Sequence, residues 1–421
     1  MKKWIGIGLV LLIVIWWIAA APRPEIRCCV AESISFDPKT AAAIAAVEHS
    51  ADFAAGLEHF RSDLPGYDDV VLLTGGTRAL VTATDGKIWS VDLATHAVEP
   101  FVDAPLMAFG IHEAPGDPNH VYFCSSNAYG ERFPGEAVGL YRLALDTRKI
   151  EPIVLEVPAT LIDPDHPVVY ADNDPKAPEL RRDGSGGDHR PLVVCDNLEV
   201  SEDGRRIYFS EPFSYRDASL DDAVDEAIAL PPNGRLWRHD LDTGTTRLVA
   251  EGFHFINGVL YDLHPGQPRE ESVLVTQTSL FRLARFYLRG PKAGSYEVVL
   301  DGLTGMDDGM DRDASGRIWL ALFTERSPIL TWAHENAWIK PLLLRLPPRL
   351  LLRQTQRTGV IVVSPDGSKP LYAAMYKGLP LASIASAVPA ENGIYLANES
   401  LGELDSEQSG IVRLKWPKQL H

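Results

Sequence analysis

Cysteine is nearly absent: four occur in 421 residues, at 28, 29, 124 and 195. No pair has the spacing of zinc ligands, so neither a zinc ribbon nor a disulfide-dense scaffold is indicated. Cys124 and Cys195 fall in apolar strand-like runs and read as buried thiols. For the adjacent Cys28 and Cys29, lipidation and intermolecular bridging both stay open, and the spacing assigns no pairing. Basic residues are also outnumbered, 40 against 57 acidic ones, for a net charge of −17. A surface of that sign repels phosphate backbones, which argues against a nucleic-acid partner. Amphipathic helical periodicity is scarce, and no linker divides the chain into globular parts.

What the chain has instead is a repeat. Six segments, at 77–84, 120–126, 204–210, 272–278, 316–322 and 393–398, alternate apolar, aromatic and small residues as half-buried strands do. Each is followed by a second copy type: GKIWSVDL from Gly86, GLYRLALD from Gly139, GRLWRHDL from Gly234, SLFRLARF from Ser279, GVIVVSPD from Gly359 and GIVRLKW from Gly410. Turn residues such as Asp203-Gly204 and Pro365-Asp366-Gly367 separate them. Six matched pairs predict an all-β fold, a six-bladed β-propeller over residues 63–418, which fills that length as one domain.

A propeller returns the chain repeatedly to one axis, so residues far apart in sequence can meet there. Four polar turns each precede a strand: Asp68-Asp69, Asp196-Asn197, Asn257-Gly258 and Asp307-Asp308-Gly309. Placed at the channel mouth, Asp68 or Asp69, Asp196 or Asn197, Asn257 and Asp308 would offer oxygen ligands from separate blades to a hard cation, and Ca²⁺ accepts such a set. An ion only partly neutralised by carboxylates and amides can polarise a carbonyl oxygen or acidify a water, so hydrolysis is the expected chemistry. Asp69 and Asp307 adjoin probable ligands and are the candidate bases. Among the histidines, His189 ranks first because it ends a long loop.

The N-terminus differs from the rest. Lys2-Lys3 precede an apolar run from Trp4 to Ala21. About 20 apolar residues span a bilayer, so residues 1–25 are expected to form a cytoplasmic tip and transmembrane signal anchor, with the propeller periplasmic, lumenal or extracellular. Residues 26–62 then form a stalk with one helix, Lys39 to Phe60. Three insertions interrupt the repeat, at 158–190, 211–232 and 327–354. The first two are expected over the channel mouth. The third combines Trp332, Trp338 and a leucine-rich run with Lys340, Arg345, Arg349 and Arg353, which suits a helix lying on lipid or, alternatively, a buried lid.

At these residues the chain resembles strictosidine synthase-like proteins, especially the adipocyte plasma membrane-associated group, within a calcium-dependent superfamily that includes paraoxonases and gluconolactonases. The most specific stretches are CDNLEVSEDGRRIYFSEPF from Cys195, LVAEGFHFINGVLYD from Leu248, the block from Asp301 to Leu322, and AWIKPLLLRLPP from Ala337. The resemblance implies a six-bladed propeller with Ca²⁺ in its channel. It implies ligand positions at Asp68 and Asp69, Asn257 and Asp308 and, in the membrane-associated group, a signal anchor.

The departures limit what carries over. Asp196-Asn197 stands where relatives read Asn-Asp, and Gly309 replaces a frequent Asn. Ser126-Asn127-Ala128 lacks the histidine of paraoxonases, and Val388-Pro389-Ala390-Glu391 lacks the synthase glutamate, which argues against alkaloid synthesis. The expectation is a membrane-anchored, Ca²⁺-dependent hydrolase of small apolar esters or lactones. The alternative is a noncatalytic binding or scaffold propeller with structural calcium. Asn398-Glu399-Ser400 forms a glycosylation sequon.

Overall fold

The computed structural model describes residues 2–19, 29–30, 32–127, 136–158, 167–171, 188–213, 223–262, 271–346, 357–399 and 407–421. Six antiparallel sheets stand in sequence order around an axis, which bears out the propeller. The innermost strands are Tyr67–Leu72, Met107–Ala114, Leu198–Val200, Ile256–Tyr261, Gly305–Arg312 and Ser383–Ala390. The repeat segments read from the sequence form the second and third strands, for example Arg78–Ala83 with Lys87–Asp92 and Ser272–Gln277 with Arg282–Tyr287. Apolar side chains between neighbouring sheets form the core. Trp319, Val362, Tyr372, Ile394 and Leu414 fill the space between the fifth and sixth blades, and Trp237, Phe209 and Cys124 that between the second and third.

The closure of the ring corrects the expected boundary at residue 63. The segment 39–60 is not one helix. It forms Pro38–Ala45, capped by the Asp37 carboxylate on the Lys39 N–H, then Ser50–Gly56, then the strand Leu57–Arg61. That strand pairs antiparallel with Gly410–Leu414 and becomes the outermost strand of the sixth blade. The chain's two ends are thereby joined in one sheet, and Arg413 adds an ion pair to Glu58 at 2.8 Å. The edge sequence Leu-Glu-His-Phe-Arg satisfies its backbone in a ladder that a free helix end would leave open.

The reading of Cys124 and Cys195 as thiols is also corrected: they form a disulfide. It ties the second strand of blade two to the segment entering blade three, across a sequence separation of 71. The two positions are far apart in sequence, and only the propeller's return to its axis brings their Cα atoms to 5.0 Å. Cys29 is likewise disulfide-bonded.

Of the insertions, the described parts of 158–190 are Val169–Tyr170, added parallel to the outer strand of blade three, and His189–Pro191, paired with Glu156–Pro158. The second insertion contributes the helix Ala223–Ala229. The third contributes Pro328–Glu335 followed by short helical turns at Ala337–Ile339 and Lys340–Leu343. These helices pack on one another: the buried His334 ring meets the Ala227 carbonyl at 2.7 Å. Lys340, expected on a lipid-facing surface, is instead fully buried and donates to the Glu32 carbonyl at 2.7 Å. Arg349 and Arg353 lie outside the described residues. At the N-terminus Lys2–Ala19 is helical, and among the described residues no helix is long and apolar enough to cross a membrane.

Candidate functional site

Irregularity recurs at one place in the blades. The pairing of the inner strand with the second strand slips between Tyr67 and Asp69, Ala108 and Ile111, Ile256 and Val259, Asp307 and Met310, and Ile384 and Ala387. A β-bulge bends its strand and re-aims the extra side chain, so the repeat of bulges turns polar residues out of the ladder. Hydroxyls of the second strands take up the backbone donors that the bulges free. Thr82 accepts from the Asp69 N–H at 3.0 Å, Ser210 from Asn197 at 3.0 Å and Thr276 from Gly258 at 2.7 Å.

Two glycines let adjacent inner strands touch here. A Cβ at Gly258 would stand 2.6 Å from the Asp308 carbonyl oxygen, and one at Gly110 would stand 2.8 Å from the Asn197 Cα. Any larger residue would push the blades apart. Asn257 Nδ2 accordingly reaches Asp308 Oδ1 at 2.5 Å across the seam between blades four and five.

The electrostatics identify a group of four acids. Burial raises Asp68 well above the usual carboxylate range, and the charges of Glu399, Asp308, Asp196 and Asp69 add to the shift. Asp308 is raised well above that range by burial, then by Asp196 and Glu399, against the Asn257 hydrogen bond. Burial pushes Asp196 up to about 7, and burial with Asp196 pushes Glu399 up to about 8. Blades one, three, five and six thus each contribute one carboxylate, and blade four contributes the Asn257 amide. Glu399 Oε1 is buried with no hydrogen-bond partner. Among the described residues no three His, Cys, Asp or Glu side chains stand close enough to chelate an ion as they are. The acids sense one another through a poorly screening interior. The donor set, all carboxylate and amide oxygen with no thiolate or imidazole, has the chemistry a hard cation such as Ca²⁺ takes.

The other sequence candidates lie elsewhere. Asp69 has both oxygens engaged, Oδ1 by the Val70 N–H at 2.8 Å and Oδ2 by the Ile111 N–H at 3.0 Å, so it clamps blade one to blade two. It belongs to a second group along the inner strands, with Asp311, Glu199 and His112, whose Nε2 lies 3.4 Å from Glu199 Oε1. There burial lowers His112, but Glu199 and the other acids outweigh it and raise the imidazole pKa. Asp307 is fully buried and its carboxyl oxygens have no partner, and burial raises its pKa well above the usual carboxylate range. Its backbone carbonyl accepts from Thr278 at 2.6 Å, which seats it in the seam between blades four and five. Asn197 is held through its backbone by Ser210. His189 is exposed and is not brought to the acids. With Glu156, His239 and Thr246 it lines an outer cavity of about 570 Å³ between blades two and three.

Glu399 is the residue that sequence reading missed. The stretch Val388-Pro389-Ala390-Glu391 indeed offers none, since Glu391 falls in the exposed turn before Gly393–Glu399. Glu399 ends that second strand instead. Its sequence context concealed it as the middle of a sequon, yet Asn398 is fully buried, accepts from the Ala382 N–H at 2.8 Å and donates to the Pro380 and Gln408 carbonyls at 3.1 Å. No oligosaccharide fits there in the folded protein. A glutamate also ends the second strands Arg206–Glu211 and Ile318–Glu325, so only the Asn398 before Glu399, where those strands carry Ser210 and Thr324, distinguishes the sixth blade.

Comparison with known proteins places the chain among similar sequences and folds. No family model matches it. It is 30% identical over 162 residues to the adipocyte plasma membrane-associated protein of Salmo salar, covering 37% of each chain. It is 32% identical over 168 residues to strictosidine synthase-like protein 13 of Arabidopsis thaliana, covering 39% of each. The chain thus spans about two-fifths of the length of the curated relatives it matches. A gluconolactonase from Xanthomonas campestris has the same fold, with a TM-score of 0.52 at 14% identity over 88% of this chain and 94% of that one. The strictosidine synthase-like resemblance read from the motifs is borne out, and the solved structure supports the propeller alone.

Proposed function

We propose that the protein is a membrane-anchored, Ca²⁺-dependent hydrolase of small apolar esters or lactones, acting at the channel mouth. The observation that carries this reading is the group of four buried, mutually repelling carboxylates, Asp68, Asp196, Asp308 and Glu399, with the Asn257 amide beside them. Four acids with raised pKa values and no basic side chain among the causes of their shifts form a site that a divalent cation would stabilise in its charged form.

Asp68, Asp196, Asn257 and Asp308 would hold the ion. When bound, it supplies Lewis acidity toward a substrate carbonyl. The chain's own residues do the rest. The Asn257 amide orients the Asp308 carboxylate, and the Gly110 and Gly258 contacts keep the seams tight. Glu399, whose Oε1 is buried and unengaged, would be the carboxylate left to accept a proton from an attacking water once the ion holds it in its charged form. The helices Ala223–Ala229 and Pro328–Glu335, joined where His334 meets the Ala227 carbonyl, would act as a lid that keeps bulk water from the site. The N-terminal helix is the anchor, a reading supported by the apolar run of its sequence after Lys2-Lys3 and by similarity to a protein described as plasma membrane-associated.

The test is hydrolysis of a panel of aryl esters and lactones by the full chain with calcium and with chelator, repeated with Glu399→Gln. Activity that needs calcium and falls at least 100-fold in Glu399→Gln supports the reading. An inert panel combined with a calcium-dependent rise in melting temperature would favour the noncatalytic propeller.

A further inference from the structure

We propose that Trp332, Trp338 and Ile329 on the lid form a membrane-contacting face that holds this end of the propeller against the lipid headgroups. The inference rests on the reading that the N-terminal helix enters the bilayer, and it goes beyond that reading by assigning the surface that turns toward lipid.

The exposed apolar side chains are concentrated rather than scattered. Outside the first helix, the large apolar residues exposed among the described ones are Val298, Ile329, Trp332, Trp338 and Leu379. Three of these five fall between positions 329 and 338. Trp332 is 44% and Trp338 66% exposed, and the two rings meet edge to face with centroids 5.7 Å apart. An indole pair left in water at the surface of a lid has lost the burial that aromatic rings contribute elsewhere in this core. Tryptophan at a membrane interface keeps its ring among the acyl carbons and its N–H among the headgroups.

The occupant is indicated by what is tethered beside the pair. Residues 32–34 run along the same lid: the Ile34 N–H donates to the His334 carbonyl at 2.7 Å, the Ala337 N–H to Ser33 Oγ at 3.1 Å, and Lys340 Nζ to the Glu32 carbonyl at 2.7 Å. Just before them Val30 is buried with Phe213, Ala229 and Phe255. The chain therefore enters the propeller through the lid. Nine residues separate Ala19 from Cys29, which reach at most about 35 Å when extended. The helix at the far end of that tether exposes Ile7, Leu9, Val10, Leu11, Leu12, Ile13 and Val14. A helix that is apolar on every side is solvated by lipid or by a core, and the described residues hold no core around it. Lipid that takes up this helix is then within reach of the lid that carries the tryptophan pair.

The experiment uses the full chain in phosphatidylcholine vesicles whose acyl chains are brominated near the headgroup, with flotation scored in parallel. Bromine quenches only indoles at its depth. Trp4, Trp16 and Trp17 report the N-terminal helix, and Trp332 with Trp338 the lid. If the face meets lipid, the double variant Trp332→Phe, Trp338→Phe still floats, while the quenched amplitude falls by roughly two-fifths, the share of two among the five tryptophans that the sequence carries in the N-terminal run and the lid together. Unchanged quenching with intact flotation overturns the lid contact and leaves the anchor standing. A chain that does not float overturns both. Should the double variant not fold, Trp338→Phe alone carries the test, because its ring is the more exposed. Wild-type self-association in detergent that the same variant abolishes would overturn the lipid assignment in favour of a second copy of the chain.

Discussion

Asn257 Nδ2 donates to Asp308 Oδ1 at 2.5 Å, joining the inner strands of the fourth and fifth blades at the point where Gly258 meets the Asp308 carbonyl. The amide orients one carboxylate while leaving its charge uncompensated. The four acids around it, Asp68, Asp196, Asp308 and Glu399, then oppose one another's ionisation. If the site takes calcium as proposed, ion binding and folding stability become two readouts of one site.

Calcium at 100 times its dissociation constant should raise the unfolding free energy by about 2.7 kcal/mol. The substitution Asp308→Asn should abolish most of that gain, and in chelator it should leave the melting temperature equal or higher, because one repelling carboxylate is gone. Calorimetry with and without calcium checks both signs. A variant that loses stability in chelator while keeping the calcium effect would sink the shared-site account.

Glu211 anchors the entry of the second insertion. It is fully buried and accepts from Arg190 Nη1 at 2.8 Å, Arg190 Nη2 at 2.7 Å and Trp237 Nε1 at 3.0 Å. Glu211→Ala leaves the buried Arg190 guanidinium without this carboxylate and should cost about 3–5 kcal/mol. Denaturant unfolding gives the number, and a loss under about 1 kcal/mol would mean that water enters freely.

The lid carries a pH dependence. His334 is fully buried, and burial, reinforced by Lys340 and Arg326 against the Ala227 carbonyl, holds its pKa down at about 4. A base with a depressed folded pKa binds its proton more readily when unfolded, so stability is full above about pH 6.5 and declines as pH falls from there toward 4. Melting curves between pH 7 and 5 should show a decline that is smaller in His334→Asn. Identical slopes in the two proteins would assign the acid sensitivity to other groups.

The strand Leu57–Arg61 closes the ring. A chain beginning at Asp63 should lose the outer strand of the sixth blade and expose Ile411 and Val412, which are buried in the whole protein. Far-ultraviolet circular dichroism and aggregation at equal concentration measure this. A soluble, cooperatively melting product of the truncation would show that the sixth blade stands without its fourth strand.

Disulfide formation gives an independent check on the blade two to blade three seam. Replacing Cys124 and Cys195 by alanine should lower stability by about 2–4 kcal/mol, since the bond closes a long loop in the unfolded chain. The midpoint of guanidinium unfolding reads it out, and an unchanged midpoint would mean that the two cysteines are not bonded in the isolated protein.

The order and number of the blades were legible in the chain because strand alternation and turn residues are local properties. Thr77 to Thr84 and Gly393 to Asn398 announce themselves without reference to any neighbour. Asp68, Asp196, Asn257 and Asp308 were legible for a related reason: each sits in a short polar turn ahead of an apolar strand. What the chain alone decided was therefore the repeat and the polar residues that interrupt it. Tertiary structure decided which of them meet. Glu399 entered the group and Asp69 was occupied by the Ile111 and Val70 amides. His189 went to an outer cavity, and Leu57–Arg61 left an expected helix to become a strand. Local preference cannot determine these outcomes, because each depends on partners from other strands, from Ile111 beside Asp69 to Gly410–Leu414 beside Leu57–Arg61, that satisfy a backbone donor or withhold a counter-charge. Electrostatic coupling and ladder closure are pairwise quantities, and only the folded ring brings the pairs into contact.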